Sequence, residues 1–473
     1  MTTTAAPPPT TLGRLRATGH AHKAVKVELR DNLVGRLARG EVRFPGIVGF
    51  DDTVLPQVER AILAGHDMVL LGERGQGKTR LIRALVALLD EWTPIVAGCE
   101  INDHPFDPVC TRCRGVVAAQ GDRTQVAWKH RNERYGEKLA TPDTSVGDLI
   151  GDVDPIKVAE GRTLGDPETV HYGLVPRTNR GIFSVNELPD LAERIQVSLL
   201  NVLEERDIQV RGYTLRLPLD LYLVASANPE DYTNRGRIIT PLKDRFGAEI
   251  RTHYPLRLDD ELALIRQEAV TAWKGSPLGE PVLPGYLLDV IARFTRLVRE
   301  SPQVDTRSGV SARFAIAAAE TAAASAVRRA ALAGEDVPVA RVCDLGTIVP
   351  ATRGKVEFDA LEEGHEYEIL AHLQRKATAD AFRARLAGLD LSGLQHRIEA
   401  AGPVETGELV PAVELLRRLG KVPGLAQLMA RLGDDGAESP GLAASALEFA
   451  MEGLHLNRRL SKEQLPGRAV YGR

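Results

Sequence analysis

The sequence predicts an α/β fold: a parallel sheet sandwiched between helices, followed by a mostly helical region. Three observations predict it. Short apolar runs alternate with helical patterns up to about Pro255: "DMVLLG" ending at Gly72, "GIFSV" at Gly181–Val185 and "LYLVAS" at Leu221–Ser226. Strands that alternate with helices read as parallel crossover units. A glycine-rich loop joins the first run to a helix, and past Leu256 the strand signal fades while Ala and Leu come to dominate.

The bulk numbers narrow the class. At 473 residues the chain is too long for one ordinary core, so two or three domains are expected. Sixty basic against 64 acidic side chains leave a net charge of −4, which gives no global pull toward nucleic acid. No apolar run approaches about 18 residues, so no membrane span is expected. The opening "MTTTAAPPPTTLGR" has no apolar signal core, and residues 1–25 read as a disordered tail. Four cysteines in a chain this long make no disulfide framework and point to reduced thiols in a cytoplasmic protein.

In chain order, Ala24–Arg43 interleaves apolar and charged residues as a helix does. "FPGIVG" (Phe44–Gly49) turns, and "DDTVLPQVERAILAG" carries Val54, Val58, Ile62 and Leu63 at near-helical spacing before a glycine. A helix is predicted from Thr79 to about Leu89, and a long one over Ser311–Gly334, with Ser near its start and Gly at its end. "GTIVPATRGKVEF" (Gly346–Phe358) reads as a loop or strand. The later helices are broken by "AGPVETGELVP" and "GDDGAESPG", and the closing "LNRRLSKEQLPGRAVYGR" reads as a solvated tail.

The chemistry begins at "GERGQGKT", which matches G-x-x-x-x-G-K-[ST] at every fixed position, between a strand and a helix. Gly72, Glu73, Arg74, Gly75, Gln76, Gly77, Lys78, Thr79 and Arg80 would cradle a nucleotide's phosphates. The glycines let backbone N–H groups face the anion, Lys78 reaches the β/γ phosphates, and the Thr79 hydroxyl ligates Mg²⁺. About a hundred residues on, "GIFSVNE" ends a buried strand in Asn186 and Glu187. Glu187 is placed to orient and polarise an attacking water. Asn186 stands where a carboxylate usually holds a Mg²⁺-bound water; its amide oxygen can accept a hydrogen bond but brings no charge.

"LYLVASANPEDY" and "IITPLKDRFGAEI" complete a recognisable order. It resembles the AAA+ ATPases, specifically the MoxR-like and magnesium-chelatase I-subunit branch, in the Asn of "NPE", the "L.DRF" box and the approach "GLVPRTNRG" (Gly173–Gly181). The resemblance covers about Phe44 to Ala330. It implies that Ile47 and Val48 lie near the adenine, that Asn228 is the first sensor, and that Arg245 reaches the nucleotide of a neighbouring subunit. Arg313 in "VSARFA" would be the second sensor, with Arg307 as rival. It also implies ATP with Mg²⁺, a homo-oligomeric ring that is hexameric if the family holds, and a von Willebrand A-domain partner in trans, because the chain lacks that domain's D-x-S-x-S motif. The implied division is an AAA+ nucleotide-binding domain over 26–255 with insertions near 99–140 and 143–177, a helical lid over 256–345 and a mostly helical region over 346–473. "RDIQVRGYTLRLPLD" (Arg206–Asp220) reads as a hairpin. No "GAFTGA" loop appears, which argues against the transcription activators that use one.

The function expected is a Mg-ATP-hydrolysing ring motor that remodels or metal-loads a partner protein. Two other readings stand beside it: a slow-hydrolysing, nucleotide-dependent binding switch, and a nucleic-acid motor, disfavoured by the charge balance. Separately, "GCEINDHPFDPVCTRC" brings Cys99, His104, Cys110 and Cys113 within fifteen residues. A Cys-x-x-Cys pair with one more Cys and a His is a tetrahedral zinc set, and a structural zinc is the expectation; reduced thiols on a polar loop or a redox pair are the alternatives.

Overall fold

A computed structural model describes residues 7–8, 10–154, 156, 159, 169–204, 208–210, 213–215, 217–228, 237–273, 275, 277–305, 309–433 and 439–472. Five parallel strands form the centre of the first half: β1 (Met68–Leu71), β2 (Tyr135–Leu139), β3 (Gly181–Asn186), β4 (Leu221–Ala227) and β5 (Ala248–Arg251), in the order β5-β1-β4-β3-β2. β3 and β4 are buried along their whole length because both faces are covered. Alternate residues feed two cores. Met68, Leu70, Ile182, Tyr222, Val224 and Ile250 pack with helices α1 (Val25–Arg39), α2 (Leu55–Ala64) and α3 (Lys78–Ala84). Val69, Leu71, Phe183, Val185, Leu223 and Ala225 pack on the other side with α4 (Thr111–Gln120) and α5 (Glu193–Glu204).

The sequence-predicted helices form for local reasons. α2 ends at Gly65 in the left-handed conformation, and α3 continues as a 3₁₀ turn to Leu88. Within Arg206–Asp220, Ile208–Val210 and Tyr213–Leu215 pair antiparallel; the Arg-Gly turn between them lies outside the described residues. In the 143–177 insertion, Gly151–Val153 pairs with Val170–Tyr172, and most of residues 155–168 lie outside the description.

The tail expected over residues 1–25 is shorter. Thr10–Thr11 pairs with Gln125–Val126, and Thr11 caps a helix over Leu12–Ala17 that buries Leu12 and Leu15. Two leucines three residues apart give six residues an apolar stripe, which composition alone conceals.

The chain divides into two compact units, Met1–His253 and Tyr254–Arg473. The second is helical around one continuous core shared by Gly285–Arg299, Ala312–Ala333, Glu366–Leu386 and Pro440–Leu456. Ala312–Ala333 has Ser311 as N-cap and left-handed Gly334 as C-cap, as its sequence announces. Ile348–Thr352, read as loop or strand, is a short helix with Ile348, Val349 and Thr352 buried. The closing segment is not a solvated tail: Ser461–Leu465 and Arg468–Gly472 pair with each other, and Val404–Gly407 adds a third strand. Tyr471 is buried there and donates to Glu452 Oε2 at 2.5 Å. In this unit Arg341 and Arg329 are fully buried; Arg341 donates to Glu448 at 2.5 and 3.0 Å and Arg329 to Glu335 at 2.6 Å.

Candidate active site

Parallel strands put all their carboxyl ends at one edge of a sheet, and strand order reverses beside β1. The residues just past those ends are Gly72, Ala140, Glu187, Asn228 and Thr252. The fold therefore brings the phosphate loop, the acid and the sensor-like amide to one edge, although Gly72 and Asn228 stand far apart in sequence.

The hydrogen bonds bear this out. Gly72 N–H donates to Ala227 O at 3.2 Å, and Lys78 Nζ donates to Asn228 Oδ1 at 2.8 Å and to Glu73 O at 2.8 Å, with a further bond to Gly72 O. Gly77 has φ 78°, and Gly72 is crowded: a Cβ there would lie 2.0 Å from Thr252 Oγ1 and 2.2 Å from Gln76 Oε1. Glycine is thus needed at position 77 for its backbone and at position 72 for its size. Gln76 is buried and accepts from Thr252 Oγ1 at 2.8 Å, which ties the loop to β5. Gly75 also has positive φ, while Arg74 and Arg80 are exposed and Thr79 is half-buried at the start of α3. Arg80 donates to Gly46 O at 3.0 Å and so holds the turn that carries half-buried Ile47 and Val48 against α3. Together these features fit a bound polyphosphate: a small-residue cradle, a lysine inside it and a helix start behind it.

Glu187 directly follows β3 and adopts φ 55°, ψ 47°. A non-glycine residue held left-handed stores local strain, and such residues cluster at functional sites. Its N–H donates to Ser226 Oγ at 3.4 Å. Asn186 is nearly buried; Ser226 Oγ donates to its Oδ1 at 3.1 Å, and its Nδ2 donates to Glu137 Oε1 at 2.6 Å. Glu137, on β2, was not singled out from sequence. Burial alone would raise its pKa, but hydrogen bonds from Arg83 at 2.8 and 3.0 Å and from Tyr135 hold it below the usual carboxylate range. A carboxylate thus stands beside Asn186 after all, supplied by the neighbouring strand. The signal that could have found it is "RYGEKLA", a half-apolar run with one acid at strand spacing.

The remaining predicted residues lie as follows. Arg245 ends helix α6 (Thr240–Arg245), is partly exposed and is ion-paired with Glu204. Arg313 is exposed in the first turn of Ala312–Ala333, in the second unit. Arg307 and the Pro-Glu after Asn228 lie outside the described residues.

The cysteine loop requires a correction. Cys99, Cys110 and Cys113 converge, but the fourth group with them is Asp103, not His104. His104 turns away into a cluster with His20, His22 and Phe106, its Nε2 3.2 Å from that of His20. Burial, then Arg180, pushes its pKa down to about 2. His104 Nδ1 instead accepts from Phe106 N–H at 3.0 Å within the loop's own turn, which leaves Asp103 to face the thiols. Hydrogen bonds from Cys110 and Cys113 hold the Cys99 thiol down to about 3, and the same contacts push Cys113 up.

Parts of the chain are similar to known proteins. A family model described as the Sigma-54 interaction domain matches residues 162–245, the stretch that carries β3, β4 and α6. The magnesium-chelatase 38 kDa subunit of Acidiphilium rubrum is 31% identical over 209 residues, 42% of this chain and 55% of that protein. The corresponding subunit of Cereibacter sphaeroides is 30% identical over 244 residues, 48% of this chain and 64% of that protein. The chain thus spans between about half and two thirds of the length of these relatives. Among solved structures, a cryo-EM-based description of the BchI–BchD complex of magnesium chelatase is 22% identical, covers 68% of this chain and 97% of that one, and superposes with a TM-score of 0.35. With the phosphate loop, the strand-end acid and the sensor-like amide in order on a β5-β1-β4-β3-β2 sheet, the chain is similar to the AAA+ ATPases of the magnesium-chelatase I-subunit branch over the stretch these relatives match.

Proposed function

We propose that the protein hydrolyses Mg-ATP as the motor subunit of a homo-oligomeric ring that remodels or metal-loads a partner protein. The observation that carries the reading is the meeting of Lys78 with Asn228 at 2.8 Å, beside the strained Glu187, at the carboxyl edge of the sheet. Lys78 would neutralise charge on the transferred phosphoryl group, and Glu187 would hold the attacking water and accept its proton. Asn228 would orient that water. Magnesium, when bound with the nucleotide, supplies charge neutralisation; Thr79 would hold it directly, and Asn186 with Glu137 would hold its water shell. Ile47 and Val48 would flank the adenine. Arg245 would act on the nucleotide of the next subunit, leaving its Glu204 pairing to do so, and Arg313 would be the second sensor.

The relatives' printed names support a chelatase-like partner, and a von Willebrand A-domain protein in trans is the partner class proposed. No described helix is long and apolar enough to cross a membrane, and a cytoplasmic location is part of the proposal. One observation favours the second reading, a slow nucleotide switch: both ends of the Asn186 amide are already engaged, by Ser226 and Glu137.

Steady-state ATP hydrolysis with Mg²⁺ across protein concentration, beside Glu187→Gln and Arg245→Ala, tests the proposal. Specific activity should rise with concentration and vanish in both variants. Tight ATP binding without turnover in assembled protein would replace the motor with the switch.

A further inference from the structure

The cysteine loop lies apart from the phosphate-binding edge, and nothing in the ATPase reading uses it. Cys99, Asp103, Cys110 and Cys113 each bring one ligand atom to a common point, all within 4.8 Å of one another. Asp103 and Cys113 are fully buried, and Cys99 and Cys110 nearly so. All three thiols are free of disulfides. Asp103 N–H donates to Cys99 Sγ and Cys113 N–H to Cys110 Sγ, each at 3.3 Å, and Cys110 caps the start of α4.

A second, independent observation comes from Asp103 itself. Its Oδ2 accepts from Val109 N–H at 3.1 Å and Cys110 N–H at 2.9 Å, whereas Oδ1 is buried with no hydrogen-bond partner. A buried carboxylate oxygen left unpaired is expensive and calls for a cation.

We propose that this pocket is a closed, structural Zn²⁺ site whose ligands are Cys99, Cys110, Cys113 and Asp103. The chemistry selects the ion. Three thiolates exclude Mg²⁺ and Ca²⁺, and tetrahedral sulfur-rich sets take zinc. Tetrahedral Zn–S bonds of about 2.3 Å put ligands roughly 3.8 Å apart, so a contraction of under about 1 Å closes the site. The same spacing leaves room for one ion and not for a multi-iron cluster. A disulfide would consume two thiols and leave Asp103 Oδ1 unanswered.

The four anionic ligands with Zn²⁺ carry a net negative charge, and the surroundings meet it with the start of α4 and with Lys129 and buried Arg180 nearby. The site's role follows from what the loop touches. Asn102 Nδ2 donates to Arg177 O at 2.7 Å, and Asn179 Nδ2 to Ile101 O at 2.9 Å. The ion would therefore pin the loop against the residues that lead into β3.

The test uses untagged full-length protein purified without chelator. Elemental analysis should give about one zinc per chain. Asp103→Asn and Cys113→Ser should lower that content, while His104→Ala should keep it. Cobalt(II) loaded into chelator-stripped wild type should show thiolate charge-transfer and intense tetrahedral d–d bands, a readout that stands even where Cys113→Ser fails to fold. Zinc below about half an equivalent after reconstitution, iron–sulfur absorption, or an intramolecular disulfide found by mass would each overturn the site. Zinc lost in His104→Ala but kept in Asp103→Asn would overturn the ligand set. None of these readouts depends on ATP hydrolysis.

Discussion

The two ends of one sheet are built from the same strands and do opposite things. Four of the five residues that immediately precede a core strand are charged: Asp67, Arg134, Arg180 and Asp220. Each is consumed by structure. Arg134 forms a two-pronged pair with Glu28 at 2.7 and 2.6 Å, both buried. Asp67 accepts from Lys26 at 2.8 Å and from Leu223 N–H at 2.9 Å, and Asp220 accepts from Val25 N–H at 2.7 Å. Arg180 donates to Pro94 O at 2.8 Å and Thr93 Oγ1 at 2.7 Å. At the other end, the residues after the strands are small or uncharged except Glu187, and Lys78 rests on backbone carbonyls and an amide. Charges held by buried structural partners specify how the fold closes; a lysine resting on carbonyl oxygens can change partner when phosphate arrives.

The sharpest break of that contrast is at the carboxyl edge. Glu187→Gln should lower turnover about 10²- to 10⁴-fold while leaving nucleotide binding and the urea midpoint nearly unchanged; a parallel loss of stability would make Glu187 a structural residue. At the opposite edge, Glu28→Ala leaves Arg134 buried without its carboxylate and should destabilise the first unit by about 3–5 kcal/mol. Urea unfolding measures it, and a loss under about 1 kcal/mol would show that the pair is no anchor. Gly72→Ala sits between the two behaviours. Its Cβ would collide with Thr252 Oγ1 and Gln76 Oε1, so about 1–3 kcal/mol of strain is expected, with weaker ATP binding by calorimetry. The smallest effect belongs to Asn186 and Glu137, beside the proposed metal position. Glu137→Gln should raise the Mg²⁺ concentration needed for half-maximal turnover by about three- to tenfold, and Asn186→Asp should lower it; no shift in either would remove both from the metal's water shell.

Much of this was legible in the chain. "GERGQGKT" names a strand, a loop and a helix in order, because glycine, lysine and threonine at fixed spacing serve one local geometry. The apolar runs of β1, β3 and β4 read as buried strands, and Ser311 and Gly334 bracket their helix, because caps and periodicity act within a few residues. Glu137 was missed because its importance lies in standing beside Asn186, a relation that exists only once β2 pairs with β3. Asp103 was passed over for His104 because spacing counts residues and does not see which way a loop turns each side chain. The closing hairpin read as a tail because its partner strand, Val404–Gly407, lies far back in the chain.

By itself, then, the sequence determined the phosphate loop, the strand-end pair Asn186-Glu187 and the change from an α/β half to a helical one. Local backbone chemistry and periodicity carry that information. Only the tertiary structure decided which carboxylate stands beside Asn186, which oxygen faces the three thiols, and which charges are locked beneath the sheet. Those are contacts between segments distant in the chain, and burial, by making each unpaired charge costly, selects the partner that only the folded arrangement brings within reach.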